Sequence, residues 1–176
     1  HDTVRARLAA LSEHVTARFP GSRCRACVDT APLMERSRAA LAGLGALGRH
    51  GGLIVPGTGA RVVLGELVCA GTPAPASSTP PRPFASCEGC AACLEACPTG
   101  AIVSPGVVDA SRCLSYHSIE NRRGDVPVDV AREMRLVFGC DACTAACPLE
   151  RRSAICELQP PDHVGEDGLT AAALAG

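Results

Sequence analysis

The chain has 176 residues, of which 20% are charged, with a formal net charge of −1 and no tryptophan. This length suits one ordinary domain or two small ones, and the near-neutral charge excludes a globally basic nucleic-acid-binding protein. No apolar run approaches the length of a membrane span, so we expect no membrane association. Twelve cysteines in clustered spacings indicate metal ligation in a reducing compartment, and we expect a cytoplasmic protein.

The chain begins with alternating helix and strand. Apolar residues at spacings of three and four predict a helix over 3–19, which Pro20 ends. A strand is predicted over Arg23–Val28. A second helix is predicted over Leu33–Ala42, since the preceding Pro32 suits a first helical turn.

A glycine-rich stretch follows the second helix. Residues 43–52 hold five glycines, which predicts a loop that lets the backbone approach something bulky. The β-branched runs Leu53–Val55 and Arg61–Val68 flank a Pro-Gly turn and predict a hairpin. Residues 71–83 hold five prolines and predict a linker between two domains.

The most specific pattern is a pair of cysteine motifs. Residues 87–98 read C-x2-C-x2-C-x3-C-P, and residues 140–148 repeat C-x2-C-x3-C-P. In such runs three closely spaced thiolates bind one cubane, and the last cysteine of the run binds the other cluster. A distant cysteine completes the four ligands of each cluster. We therefore predict two 4Fe–4S clusters: cluster I on Cys87, Cys90, Cys93 and Cys147, and cluster II on Cys97, Cys113, Cys140 and Cys143.

The segment between the motifs is predicted to be an insert of ordinary elements. Ala101–Val103 and Val107–Val108 flank a Pro-Gly turn and predict a small hairpin. Asp109 is predicted to cap a helix over Ala110–Glu120, and a further helix is predicted over 128–136.

Zinc is the alternative for these cysteines. Zinc sites more often show two separated C-x2-C pairs and do not need the C-P dipeptide, and the density of the motifs disfavours a disulfide framework. Residues three apart on a strand point to opposite faces, so Cys24-x2-Cys27 cannot close on one metal without a bend. We therefore interpret the cysteines outside the motifs as small buried residues: Cys24, Cys27, Cys69 and Cys156.

Several stretches, taken in order, resemble the epoxyqueuosine reductase family. In the first half they are Val28–Arg36, Ala42–Gly45 and Leu64–Glu66. In the second half they are Cys97–Ile102, Leu114–Tyr116, Ile119–Glu120 and Phe138–Asp141. Their order and spacing agree over roughly residues 1–150.

The resemblance implies an α+β protein in two parts. Residues 1–70 are expected to be the C-terminal part of an α/β cobalamin-dependent reductase domain, with the linker at 71–83. Residues 84–150 are expected to be a bacterial two-cluster ferredoxin-like domain, followed by a tail at 151–176. The resemblance also implies a stretch of the first domain that precedes this sequence, so we expect a protein sequence that is truncated at its N-terminus.

The resemblance also implies a reaction. Electrons from an external low-potential donor would pass through the clusters to cobalamin, and the epoxide of epoxyqueuosine in a tRNA anticodon loop would be reduced to queuosine. The proton donor of the family falls on Asp29, which the residues alone would make a helix cap. Cobalamin is expected against the glycine loop, at Gly43, Leu44, Gly45, Gly48 and His50. A monomer is expected.

Some positions depart from the family pattern. A tryptophan is missing at Ala46, Arg49 replaces a lysine, and the second motif ends in Leu149-Glu150. Two other functions therefore stay open: a two-cluster electron carrier without catalysis, and a cobalamin-dependent reductase of a small molecule, akin to a dehalogenase.

Overall fold

A computed structural model describes residues 1–29, 31–72 and 87–150. These residues form two compact units. The first unit contains residues 1–43 and the segment that begins at Val63, and the second contains residues 44–62 and 87–150. Most of the predicted linker, the predicted tail at 151–176 and Cys156 lie outside the described residues.

The described residues form short helices and two-stranded sheets, in agreement with the predicted α+β class. The helices are α1 Asp2–Arg18, α2 Glu35–Leu41, α3 Ala92–Glu95, α4 Val128–Glu133 and α5 Ala142–Ala145. The strands are β1 Arg23–Cys27, β2 Ala46–Leu47, β3 Leu53–Ile54, β4 Glu66–Ala70, β5 Ile102–Ser104 and β6 Val107–Val108. Within the described part of the chain, none of the helices has the length and apolarity to cross a membrane.

In the first unit, α1 packs on an antiparallel pair of strands. Strand β1 pairs with β4 from Arg23 opposite Ala70 to Cys27 opposite Glu66, and α1 contacts both strands. Leu8 of the predicted apolar stripe is buried against them, and Val28, directly after β1, is 2% exposed. The predicted first helix, strand and second helix are confirmed, with ends that differ by one or two residues.

The predicted hairpin between Leu53–Val55 and Arg61–Val68 is wrong. Strand β3 pairs with β2 from the glycine-rich stretch, and β4 pairs with β1. Gly45 permits the first pairing, because a Cβ there would collide with the carbonyl oxygen of Ile54. The predicted glycine loop at 43–52 therefore also contains strand β2 and the turn that leads to β3.

The second unit contains the insert and both cysteine motifs. Strands β5 and β6 form the predicted hairpin. Asp109 caps the next element as predicted, since its Oδ1 accepts the Ser111 N–H at 3.0 Å. That element is a 3-10 turn, Ala110–Arg112, and Cys113 follows it in extended conformation. A π-helix then forms at Tyr116–Glu120, so the single predicted helix is interrupted at the cysteine. Leu114 and Val130 are buried in this unit.

We expect Gly65→Ala to destabilise the first unit by about 1–3 kcal/mol, because it overpacks a tight contact. A Cβ at Gly65 would lie 2.7 Å from Cγ1 of Val4 and 2.9 Å from Cδ1 of Leu8, so α1 would have to move. The thermal unfolding midpoint measures the effect. Val63→Ala is the control, because the Val63 side chain is exposed and its truncation should change stability by less than about 0.5 kcal/mol. Equal midpoints for the two variants would contradict the expected overpacking.

Candidate functional site

The first cysteine motif wraps around Cys93. The Cys90 N–H donates to the Cys87 carbonyl at 3.1 Å, and the chain then enters α3, which carries Cys93. Cys87 and Cys93 are each 7% exposed. Burial raises the pKa of the Cys93 thiol, and so do the neighbouring Cys87, Cys147 and Cys90. The structure thus brings together the four cysteines predicted to hold cluster I.

Two short helices explain how the distant Cys147 reaches this set. Helices α3 and α5 are the repeated parts of the two motifs, and they pack on each other. Each is four residues long and ends two residues before the last cysteine of its motif, Cys97 or Cys147. The packing carries the end of each motif towards the start of the other. This arrangement is compatible with the predicted exchange of last ligands, which stays a prediction.

The other predicted set is assembled around Cys143. Burial raises the pKa of the Cys143 thiol to about 11, with further contributions from Cys140 and Cys97. Two hydrogen bonds bring the Cys113 segment to the same place. The Thr99 hydroxyl donates to the Arg112 carbonyl at 2.6 Å, and the Gly139 N–H donates to Oγ of Ser118 at 2.9 Å.

The Cys97 sulfur lies in a polar pocket of backbone. The Ala101 N–H donates to its Sγ at 3.2 Å, and the Thr99 hydroxyl lies 3.9 Å away. Burial acts to raise the pKa of the Cys97 thiol, but these hydrogen bonds and one from the Ile102 N–H together lower it. Hydrogen bonds to cluster sulfurs are one of the means by which proteins set the potential of a cluster.

The arrangement of these thiols fits iron–sulfur cubanes. Among residues 1–29, 31–72 and 87–150, no three His, Cys, Asp or Glu side chains converge closely enough to hold one metal ion. In a cubane each thiolate binds a separate iron, so the ligands surround the cluster and do not meet at a point. In each set the pKa of one thiol, Cys93 or Cys143, is raised mainly by burial and further by neighbouring thiols, and cationic irons would oppose this effect. The ligand assignment itself stays a prediction that this geometry supports.

The glycine loop belongs to two units. Gly43, with φ of +77°, ends α2 in the first unit, while Leu44, Gly45, Gly48 and His50 belong to the second. His50 is 6% exposed, its Nδ1 accepts the Gly52 N–H at 3.0 Å, and a Cβ at Gly48 or Gly52 would strike its ring. Gly45 and His50 therefore shape the loop from within, and the exposed Leu44 offers an apolar contact. The predicted cobalamin contacts stay a prediction.

Arg49 connects this loop to the first cysteine motif. Its guanidinium donates to the Cys90 carbonyl at 2.5 Å, and its own carbonyl accepts the Gly106 N–H at 2.8 Å. The sequence showed only that an arginine replaces a lysine here. In the second unit this side chain holds the backbone of a predicted cluster I ligand.

Glu150 is a structural residue that the sequence did not reveal. Its side chain is 7% exposed, its Oε2 accepts the Ala60 N–H at 2.7 Å, and its Oε1 lies 3.6 Å from Nε of Arg61. It therefore joins residues 60–61 to the end of the second cysteine motif. A glutamate directly after C-P-x was the available signal, but its partner lies 90 residues away in sequence.

We expect Glu150→Ala to lower the stability of the second unit by about 1–3 kcal/mol, because the Ala60 N–H loses a charged acceptor. The Arg61 pair adds little, since Arg61 is half exposed. Glu150→Gln keeps an amide oxygen for the same N–H and should lose less. Asp141→Ala is the control, because Asp141 is 72% exposed and faces the same arginine at 3.8 Å. Thermal midpoints of the three variants measure the effect, and an Asp141→Ala shift as large as that of Glu150→Ala would contradict it.

Asp29 occupies a strained position at the end of β1. Its φ of +59° is the only positive value outside glycine among the described residues. The Asp29 N–H donates to Oε1 of Glu35 at 2.9 Å, and its Oδ2 lies 3.7 Å from Nε2 of His1. Helix α2 begins at Glu35 without a side-chain cap, so the interpretation of Asp29 as a helix cap is wrong. The carboxylate is 69% exposed, and its role as proton donor stays a prediction.

The interpretation of the cysteines outside the motifs as buried residues holds for Cys27 and is wrong for Cys24 and Cys69. Cys27 is 5% exposed and fits the predicted role of a small buried residue. Cys24 and Cys69 are half-buried, and their sulfur atoms lie 2.7 Å apart across β1 and β4. Their pairing could not be inferred from the sequence, which places them 45 residues apart.

The second unit matches a known protein family. Residues 86–150 match the 4Fe-4S double cluster binding domain. This match covers both cysteine motifs and the insert between them, and it supports two clusters in preference to zinc.

Curated relatives extend the similarity to most of the chain. An epoxyqueuosine reductase of Synechococcus sp. is 42% identical over 154 residues, which is 87% of this chain and 47% of the relative. The epoxyqueuosine reductase of Xanthomonas campestris pv. campestris is 37% identical over 99% of this chain and 47% of the relative. The chain spans about half the length of the curated relatives it matches.

Solved structures agree with the sequence similarity. An epoxyqueuosine reductase bound to an epoxyqueuosine-modified tRNA stem loop has a TM-score of 0.72 and 31% identity, over 85% of this chain and 38% of that one. The Bacillus subtilis epoxyqueuosine reductase, with its catalytic aspartate loop swung out of the active site, has a TM-score of 0.74 and 29% identity. The match covers 91% of this chain and 41% of that one. In sequence and in fold the chain is thus similar to the epoxyqueuosine reductases over about half of their length, and the predicted resemblance to this family is confirmed.

Proposed function

We propose that this chain is part of a cobalamin-dependent, iron–sulfur oxidoreductase that reduces epoxyqueuosine in tRNA to queuosine. The observation that carries the proposal is the convergence of two sets of predicted cluster ligands in a chain similar to epoxyqueuosine reductases. The similar structure that holds an epoxyqueuosine-modified stem loop supports the choice of substrate.

The clusters supply the electrons. Removing the epoxide oxygen as water takes two electrons and two protons and leaves a carbon–carbon double bond. A 4Fe–4S cluster transfers one electron at a time, so two clusters suit a two-electron reduction fed by an external low-potential donor. Cluster I would be held by Cys87, Cys90, Cys93 and Cys147, and cluster II by Cys97, Cys113, Cys140 and Cys143.

Asp29 would give a proton to the epoxide oxygen. A general acid must reach its substrate and keep a fixed position, and Asp29 combines an exposed carboxylate with a backbone that the Glu35 carboxylate holds. Strained backbone conformations such as its φ of +59° are concentrated at functional sites. A similar reductase has a catalytic aspartate on a loop, which supports the same assignment here.

Cobalamin would supply the nucleophilic cobalt that opens the epoxide. On this chain the exposed Leu44 and the backbone at Gly43 would offer contacts, while Gly45, Gly48 and His50 keep the shape of the loop.

The protein would be a cytoplasmic monomer, and its partner would be a tRNA anticodon stem loop. Several arginines of the insert are exposed and could contact phosphates, which would make binding weaken with salt. They are Arg122, Arg123, Arg132 and Arg135.

The proposal is tested on the intact natural protein, reconstituted anaerobically with iron and sulfide. We expect about eight irons per chain, saturable binding of cobalamin seen in the corrin spectrum, and conversion of epoxyqueuosine to queuosine in tRNA. The same iron content without corrin binding would leave a two-cluster electron carrier. Corrin binding without turnover of the tRNA epoxide would favour a small-molecule reductase. Zinc in place of iron would exclude the tRNA epoxide reductase, the electron carrier and the small-molecule reductase.

A further inference from the structure

Two cysteines outside the cluster motifs face each other across a strand pair. Cys24 of β1 and Cys69 of β4 are directly opposite in the antiparallel register, and their Sγ atoms lie 2.7 Å apart. Packed non-bonded heavy atoms prefer about 3.5–4.0 Å, while a disulfide bond measures about 2.05 Å. The two sulfur atoms are therefore already aimed at each other with nothing between them.

The backbone permits a bond between them. Directly opposed residues of an antiparallel pair have Cα atoms about 4.5–5.5 Å apart, which falls within the range of about 4.4–6.8 Å found across disulfides. The register of the strands is therefore compatible with a disulfide between the two residues. Both residues are free thiols and only half-buried, so a small oxidant can reach them.

We propose that Cys24 and Cys69 are a redox-active dithiol, which a small disulfide such as oxidised glutathione converts to an intramolecular disulfide. The pair lies in the first unit, whereas all eight predicted cluster ligands lie in the second. The oxidation of the pair therefore uses none of the predicted cluster ligands.

The exchange balances without another reagent. One thiolate attacks a sulfur of the small disulfide, forms a mixed disulfide and releases one small thiolate. The second cysteine then attacks the protein sulfur of that mixed disulfide, releasing the other small thiolate. The protein loses two electrons and two protons, and the small disulfide becomes two thiols.

Cys69 is expected to carry its proton in the reduced pair. Burial and the neighbouring Cys24 thiol raise the pKa of Cys69 to about 11. Cys69 is therefore protonated near neutral pH, and thiols attack disulfides only as thiolates. Attack by Cys69 itself should accordingly be slow, which sets the incubation times of the test.

The test uses the full chain with its clusters reconstituted, incubated anaerobically with oxidised glutathione until no further change occurs. Free thiols are then alkylated, and the peptides are mapped by mass spectrometry without reduction. The visible absorbance of the clusters is followed throughout, so that cluster loss is seen. Cys27→Ser is the matched control, because Cys27 lies on the same strand but points to the opposite face.

We expect a peptide that links Cys24 to Cys69 in both the natural chain and the Cys27→Ser variant. In Cys24→Ser the link should be replaced by alkylated or glutathionylated Cys69. The oxidised natural chain should also unfold at a temperature higher by about 5–10 °C, and the shift should vanish on reduction. Recovery of both cysteines alkylated, or each bound to its own glutathione, would overturn the proposal.

Discussion

Replacing Cys93 by serine should reduce the iron content from about eight to about four per chain, because a cluster needs four thiolates and cluster II does not use this residue. Cys93 is the buried centre of its set, with Cys87, Cys90 and Cys147 around it. A serine hydroxyl is ionised far less readily than a thiol and does not replace it. Iron and acid-labile sulfide after anaerobic reconstitution measure the effect.

Cys27→Ser is the matched control for this experiment. Cys27 is as buried as Cys93, at 5% against 7% exposed, but it lies on β1 outside both motifs. The variant should therefore keep about eight irons. If it loses as much iron as Cys93→Ser, the loss reflects general unfolding. A Cys93→Ser protein with its full iron content would remove Cys93 from the ligand set.

Replacing Asp29 by asparagine should lower the rate of epoxyqueuosine reduction by about 10²–10⁴-fold, the usual contribution of a positioned general acid. Asparagine adopts positive φ at least as readily as aspartate, so the backbone at φ of +59° should be kept. The amide cannot give a proton to the leaving oxygen. Turnover of tRNA that carries the epoxide, measured with the intact natural protein, tests this expectation.

Two controls separate acid catalysis from folding and from charge. Iron content and tRNA binding of Asp29→Asn should equal those of the natural protein. Asp2→Asn removes an exposed carboxylate from the same unit and should leave the rate within about twofold, as surface changes away from a site usually do. A full rate in Asp29→Asn would assign the proton transfer to another group.

Local patterns predicted most of the elements and the grouping of cysteines around Cys93, but not the long-range pairings. Cysteine spacing fixes which thiols can reach one cubane, and the structure gathers those around Cys93. The Asp109 cap was equally local. A β-branched run carries no information about its partner, so β4 was predicted to pair with the wrong strand. The contacts of Glu150 with Ala60 and of Cys24 with Cys69 depend on such pairings and could not be foreseen.

The placement of residues 44–62 has a consequence for how the second unit folds during synthesis and for which fragments of the protein can incorporate iron. This segment precedes the cysteine motifs in the chain, yet its Arg49 and Ala60 bond to Cys90 and Glu150 in the second unit. During synthesis it leaves the ribosome long before these partners exist, so the second unit must close a large loop, a slow step in folding. A fragment that begins at residue 84 would contain every predicted cluster ligand but lack these contacts. Iron incorporation should therefore be more complete in a fragment that begins at residue 44.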